Sequence, residues 1–204
     1  MITTRNICIF GDPIAYGAWS RDGGWAERLQ KILQRRTIDS GFRSYYFLYN
    51  VSIPGNTTGD VLARFDAECE VREPHIIVFA VGINDASCRA NPDKPRIERA
   101  RFEENGVRLI REAKARAERV LWVGLTTVDE ARAMPFEATY FLNARIRDYD
   151  AVIKTVCAKE GVAYVDIAGV VGPEELADGL HPNDRGHEKM CVAIERALAG
   201  CGVQ

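Results

Sequence analysis

No apolar run in the 204-residue chain approaches the roughly 20 residues of a membrane-spanning helix. The opening segment, MITTRNICIFGD, holds only about four apolar residues together, too few for the core of a secretory signal, and reads as a strand. The chain is therefore expected to work away from membranes, in the cytoplasm. Charge of one sign is also missing. Lys and Arg total 27 against 29 Asp and Glu, mixed along the sequence, so no broad basic field exists to hold nucleic acid. The six cysteines (Cys8, Cys69, Cys88, Cys157, Cys191, Cys201) show no CxxC spacing, and Cys8 and Cys191 sit in apolar patterns. Free thiols in a reducing compartment are expected, rather than a disulfide framework. No cluster of His, Cys, Asp and Glu has metal-ligand spacing, so neither a metal nor another cofactor is expected. There is no internal repeat, low-complexity segment or linker-like stretch. A hydrophobic content of 47% and a charged content of 27% suit a globular chain, and the length fits one α/β domain spanning 1–204.

What is present is alternation. Strands are predicted at Asn6–Phe10, Ser44–Asn50, His75–Val81, Arg119–Leu125 and Val162–Asp166. The third, HIIVFAV, is continuous and β-branched, as in a strand buried on both faces. Helices are predicted at Gly24–Thr37, Thr57–Val71 (with Thr57 or Thr58 as N-cap), Arg99–Arg116, Tyr140–Glu160 and Asp184–Leu198. Two stretches, Ala86–Arg96 and Thr127–Thr139, read as loops leaving the third and fourth strands. Such a pattern predicts a mostly parallel sheet with helices on both faces, where ligands bind beyond the carboxyl ends of the strands.

Those strand ends carry the informative residues. The first strand runs into Gly11-Asp12-Pro13, and the second is followed by Ser52-Ile53-Pro54-Gly55-Asn56. The third ends in Gly82-Ile83-Asn84-Asp85, and DGLHP, with Asp178 three residues before His181, precedes the last helix. Taken alone, His181 reads equally as a capping or core histidine, and Asn84 and Asp85 as loop caps. His75 and His187 are expected to be structural.

In their order, these four blocks resemble those of the SGNH/GDSL hydrolases, which cleave esters with a serine nucleophile. The resemblance runs from Ile7 to the last helix. GDPIAYG matches the first block except at the nucleophile, Gly55 the second, GIND the third and DGLHP the fourth. The resemblance implies a three-layer α/β/α sandwich with a five-stranded parallel sheet. It implies His181 as base, Asp178 as the carboxylate that fixes its tautomer, and Gly55 N–H with the Asn84 amide as oxyanion donors. Asp12 and Asp85 are expected to brace the loops, with action as a base the less favoured reading of Asp12. The ligand implied is a small ester or an acylated sugar; the sequence carries no reading of oligomeric state.

The departure is Pro13, which stands where the family carries serine. Proline lacks both the hydroxyl and the backbone N–H of that position. It is compatible with a first helical turn, where the N–H has no intrahelical partner, so the fold is expected to survive while the covalent route fails. Ser20, Ser87 and Cys88 lie near enough in sequence to be weighed as relocated nucleophiles, but each is expected to serve the loops or core. Water activated by His181 is another route to weak activity. Two readings follow: an esterase whose nucleophile is lost, or a pseudoenzyme that binds an ester or carbohydrate without turnover.

Overall fold

The computed structural model describes residues 2–135, 137–200 and 203; Met1, Phe136, Cys201, Gly202 and Gln204 lie outside that description, so the expectation for Cys201 falls there too. In chain order the strands are β1 (Thr3–Gly11), β2 (Ser44–Asn50), β3 (Ile76–Ala80), β4 (Cys88–Arg89), β5 (Arg119–Val123), β6 (Thr139–Tyr140) and β7 (Ala163–Val165). The α-helices are α1 (Pro13–Tyr16), α2 (Trp25–Asp39), α3 (Thr58–Glu70), α4 (Ile83–Ala86), α5 (Arg99–Arg116), α6 (Glu130–Ala133), α7 (Asn143–Glu160) and α8 (Asp184–Ala199). Five strands form a parallel sheet in the order β2-β1-β3-β5-β7. Helices α2 and α8 pack together over one side, while α3, α5 and α7 follow one another in contact over the other.

The apolar runs make the sheet, as their composition requires. Ile76, Ile77, Val78 and Phe79 of β3 are all buried, which suits a central strand covered twice. Phe10, Phe65, Phe79 and Trp122 form a chain of rings through the core, with centroids 4.9 to 5.9 Å apart. Gly11 ends β1 because nothing larger fits. A Cβ there would lie 2.4 Å from that of Ala15 and 2.8 Å from the Ala80 carbonyl oxygen.

Several expectations change in detail. Tyr140 is not helical; it belongs to β6, and α7 begins at Asn143. Neither long loop is wholly irregular. β4 and β6 pair antiparallel, Cys88 opposite Tyr140 and Arg89 opposite Thr139, so the two excursions from the sheet grip each other. Helix α6 interrupts the second. Asn84 and Asp85 lie in the single turn of α4 rather than in open loop. Two-residue strands and one-turn helices are held by tertiary contacts, which is why no periodicity announces them. Cys8, Cys69, Cys88, Cys157 and Cys191 are buried and unpaired in disulfides. Among the described residues no helix is long and apolar enough to cross a membrane.

Candidate active site

The strand register brings the informative loops to one edge. Gly11 pairs with Ala80 and Ile9 with Asn50, so the segments after β1, β2 and β3 leave the sheet side by side. Above them opens a cavity of about 500 Å³ lined by Pro13, Gly55, Asn84 and His181. Asp178 stands behind His181. Four of the sequence-derived positions thus face one space.

Pro13 is the first residue of α1. Asp12 caps this turn, its Oδ1 accepting from the Ile14 N–H at 3.0 Å. Its own backbone is extended (φ −112°, ψ −165°), as a residue before proline should be. Asp12 is buried beneath the cavity rather than on it. Burial pushes its carboxyl up to about 7, against the hydrogen bonds from Ile14 and Ala15.

Gly55 sits at φ +81°, a left-handed conformation that favours glycine. Its carbonyl accepts from Arg96 Nη1 at 2.9 Å. One N–H of the Asn84 amide donates to the Asn56 carbonyl at 2.9 Å, which ties the second and third motif blocks together. Asp85 points away from the cavity. Its carboxylate accepts from the Thr58 N–H at 3.0 and 3.1 Å and from Thr58 Oγ1 at 2.5 Å, so it serves the start of α3. Burial raises its pKa to about 7, opposed by those bonds.

Asp178 and His181 form the expected pair. Asp178 Oδ2 is 2.7 Å from His181 Nδ1, and Oδ1 accepts from the backbone N–H groups of His181 (2.8 Å) and Leu180 (2.9 Å). Burial alone would raise this carboxyl, but the hydrogen bonds outweigh it and hold it below its ordinary value. Trp19 Nε1 also lies 3.0 Å from His181 Nδ1. One ring nitrogen cannot both donate to Asp178 and accept from Trp19. The charged carboxylate at the shorter distance decides the matter, so Nδ1 carries the proton and Nε2 is the basic nitrogen.

The remaining candidates are occupied elsewhere. Ser20 Oγ lies within hydrogen-bonding distance of the Gly23 carbonyl and Asp184. Ser87 lines the cavity but donates to the Asn84 carbonyl at 2.7 Å. Cys88 is buried beside the Arg145 guanidinium. Burial lifts its pKa, against the lowering pull of that cation. His75 Nδ1 accepts from the Asn6 N–H, and His187 Nδ1 from the Trp25 N–H, both structural roles. Sequence reasoning missed Trp19, which lines the cavity next to His181; its signal was a tryptophan amid the loop formers of GAWSRDGG. Both long loops reach the same space, through Arg89 and Arg96 on one side and Glu137 and Thr139 on the other.

The buried groups give a pH expectation. Asp12 and Asp85, raised to about 7, bind protons in the folded state that the unfolded chain has released above about pH 4. They make stability fall as pH rises towards 7. His187 works the other way. Burial lowers its pKa to about 4, so its contribution is lost as pH falls below its unfolded value of about 6.5. Two groups outweigh one, and urea unfolding should show lower stability at pH 8 than at pH 5.5. Asp12→Asn keeps the cap and removes one titration, so its profile should be flatter. Equal slopes for the two proteins would show that Asp12 is not the source.

Comparison with known proteins shows the family and the fold. The model of the GDSL-like Lipase/Acylhydrolase family matches residues 9–189. Esterase TesA of Pseudomonas aeruginosa is 28% identical over 183 residues, covering 87% of this chain and 80% of that protein. The lipase/acylhydrolase from Enterococcus faecalis superposes with a TM-score of 0.77 at 29% identity, covering 96% of both chains. LAE5, an alpha/beta hydrolase enzyme from the metagenome of Lake Arreo, Spain, gives 0.78 at 21% identity, covering 98% of this chain and 97% of that one, a likeness of fold.

Proposed function

This chain belongs to the GDSL-like lipase/acylhydrolase family, and from that premise we propose that its cavity is an ester site with every part but the nucleophile. The observation that carries this reading is His181, paired with Asp178 behind it, facing the same cavity as Gly55, Asn84 and Pro13. In the family's reaction, a serine hydroxyl gives its proton to the histidine and attacks the acyl carbon. The carbonyl oxygen becomes an oxyanion held by N–H donors, and the histidine then protonates the departing alcohol. Here His181 supplies the base and Asp178 fixes its tautomer. Gly55 N–H and the Asn84 amide supply two donors. Pro13 supplies neither hydroxyl nor N–H, so the acyl-enzyme does not form. The substrate class is a small ester, a short acyl or acetyl group on a simple or sugar alcohol, and residues 1–204 act as one unit.

A second reading is supported by the cavity itself. About 500 Å³ of lined space persists around a site without its nucleophile, as a protein that binds an ester or sugar without turnover would need. A fluorophosphonate probe separates intact from missing chemistry. The unaltered chain should take up no stoichiometric label, because Ser20 and Ser87 are bonded into loops. Pro13→Ser should be labelled at position 13. Labelling of the unaltered chain at Ser20 or Ser87 would reveal a relocated nucleophile and end this reading.

A further inference from the structure

The segment between α1 and α2 is a braced loop with an aromatic ring at its tip. Gly17 and Gly24 pinch its base; a Cβ on Gly24 would fall 2.3 Å from the Gly17 Cα. Asp184 holds its far side, accepting from the Asp22 N–H at 3.0 Å and lying 3.6 Å from Arg28 Nη2. Trp19 stands between these anchors with φ +65°, a conformation that a bulky residue keeps only when its surroundings impose it. The residue remains 62% exposed. The indole meets the His181 ring edge-on, centroids 5.8 Å apart at 86°, and lines the cavity mouth with Tyr16. The fold therefore holds a large apolar ring in a strained backbone, beside the base, with most of its surface in water.

Its position decides which half of an ester it meets. The base must return its proton to the leaving oxygen, so the alcohol half lies on the His181 side. The acyl oxygen must lie towards Gly55 and Asn84. We infer that Trp19 is a specificity-determining residue for the leaving alcohol, stacking its indole on the ring of a pyranoside. The inference rests on the ester site proposed above and names its alcohol. The flat apolar face of a sugar ring matches an indole face, and the strain at Trp19 is the cost of presenting that face ready-made.

Two experiments test it independently of each other. Trp25 and Trp122 are fully buried, so solvent-sensitive fluorescence reports on Trp19. In the unaltered chain, a methyl pyranoside should change that emission saturably, butanol should not, and Trp19→Ala should lose the response. Absence of any saturable change overturns the inference. In the Pro13→Ser background, Trp19→Ala should lower kcat/KM on an acetylated pyranoside about 2- to 10-fold, the range of one ring contact. Ethyl acetate should be unaffected, and lengthening the acyl group should leave the factor unchanged. Trp19→Phe, which keeps a ring but loses the N–H near His181, should restore most of the pyranoside rate. An equal loss on both esters would assign Trp19 to supporting His181 and overturn the inference. If Pro13→Ser is inactive while the pyranoside still binds through Trp19, the ester reading fails and the ring site stands.

Discussion

Pro13→Ser should hydrolyse p-nitrophenyl acetate at least about 10² times faster than the unaltered chain, the scale of a single oxyanion donor before the nucleophile is counted. One substitution returns two parts, the hydroxyl within the cavity and the N–H of the same residue. The hydrogen bonds that hold α1 do not involve the proline ring. The Ile14 N–H is capped by Asp12, and the Tyr16 and Gly17 N–H groups bond the carbonyls of Asp12 and Pro13, which serine retains. The His181 ring is held by Asp178 at 2.7 Å. Adding His181→Ala to the variant should abolish the gain, because the effects of residues acting as a unit are not additive. A folded Pro13→Ser protein no faster than its parent across acyl lengths and acetylated sugars would move the binding reading ahead.

The sequence announced the parts of this site that recur as local patterns. Continuous β-branched runs such as Ile76–Phe79 have few alternatives to a buried parallel strand, and the strand ends then had to hold the ligand. DGLHP was legible because a carboxylate three residues before a histidine can accept from the ring and from the intervening backbone, as Asp178 does. Trp19 was illegible for the opposite reason. Its place beside His181 depends on the pinch of Gly17 on Gly24 and on Asp184, 165 positions further on, and no local periodicity encodes either. The pairing of β4 with β6 was hidden likewise, since two-residue strands leave no alternation to read. GIND lies between these cases. The motif singled out Asn84 and assigned Asp85 to support, but its partner Thr58 is 27 residues away and only the fold supplies it.

That partner makes Asp85→Ala the substitution expected to cost the fold most among those considered. Thr58 opens α3, so its N–H has no intrahelical acceptor, and Asp85 supplies one from a different strand end. A carboxylate there also faces the positive end of a 13-residue helix, and its hydrogen bonds from Thr58 oppose the rise that burial imposes on its pKa. Alanine would strand the Thr58 N–H without a partner and leave Thr58 Oγ1 only the bond it accepts from Asn105 Nδ2 at 3.0 Å. Thr58 and Asp85 are both fully buried, so water cannot replace the lost acceptor cheaply. Each stranded donor costs about 1–3 kcal/mol, and removing a buried carboxyl returns part of that. The net loss should be about 2–4 kcal/mol, or about 5–15 °C in Tm for a chain of this size. Asp85→Asn should lose less. Its Oδ1 still accepts from the Thr58 N–H and hydroxyl, while its NH2 meets the Thr58 N–H donor to donor. Because Asn84 shares the single turn of α4, Asp85→Ala should also slow the Pro13→Ser enzyme below its melting range, through kcat more than KM. Thermal unfolding of Asp85→Ala within about 1 °C of the parent would show that α3 does not need this cap, and the supporting role assigned to Asp85 would be withdrawn.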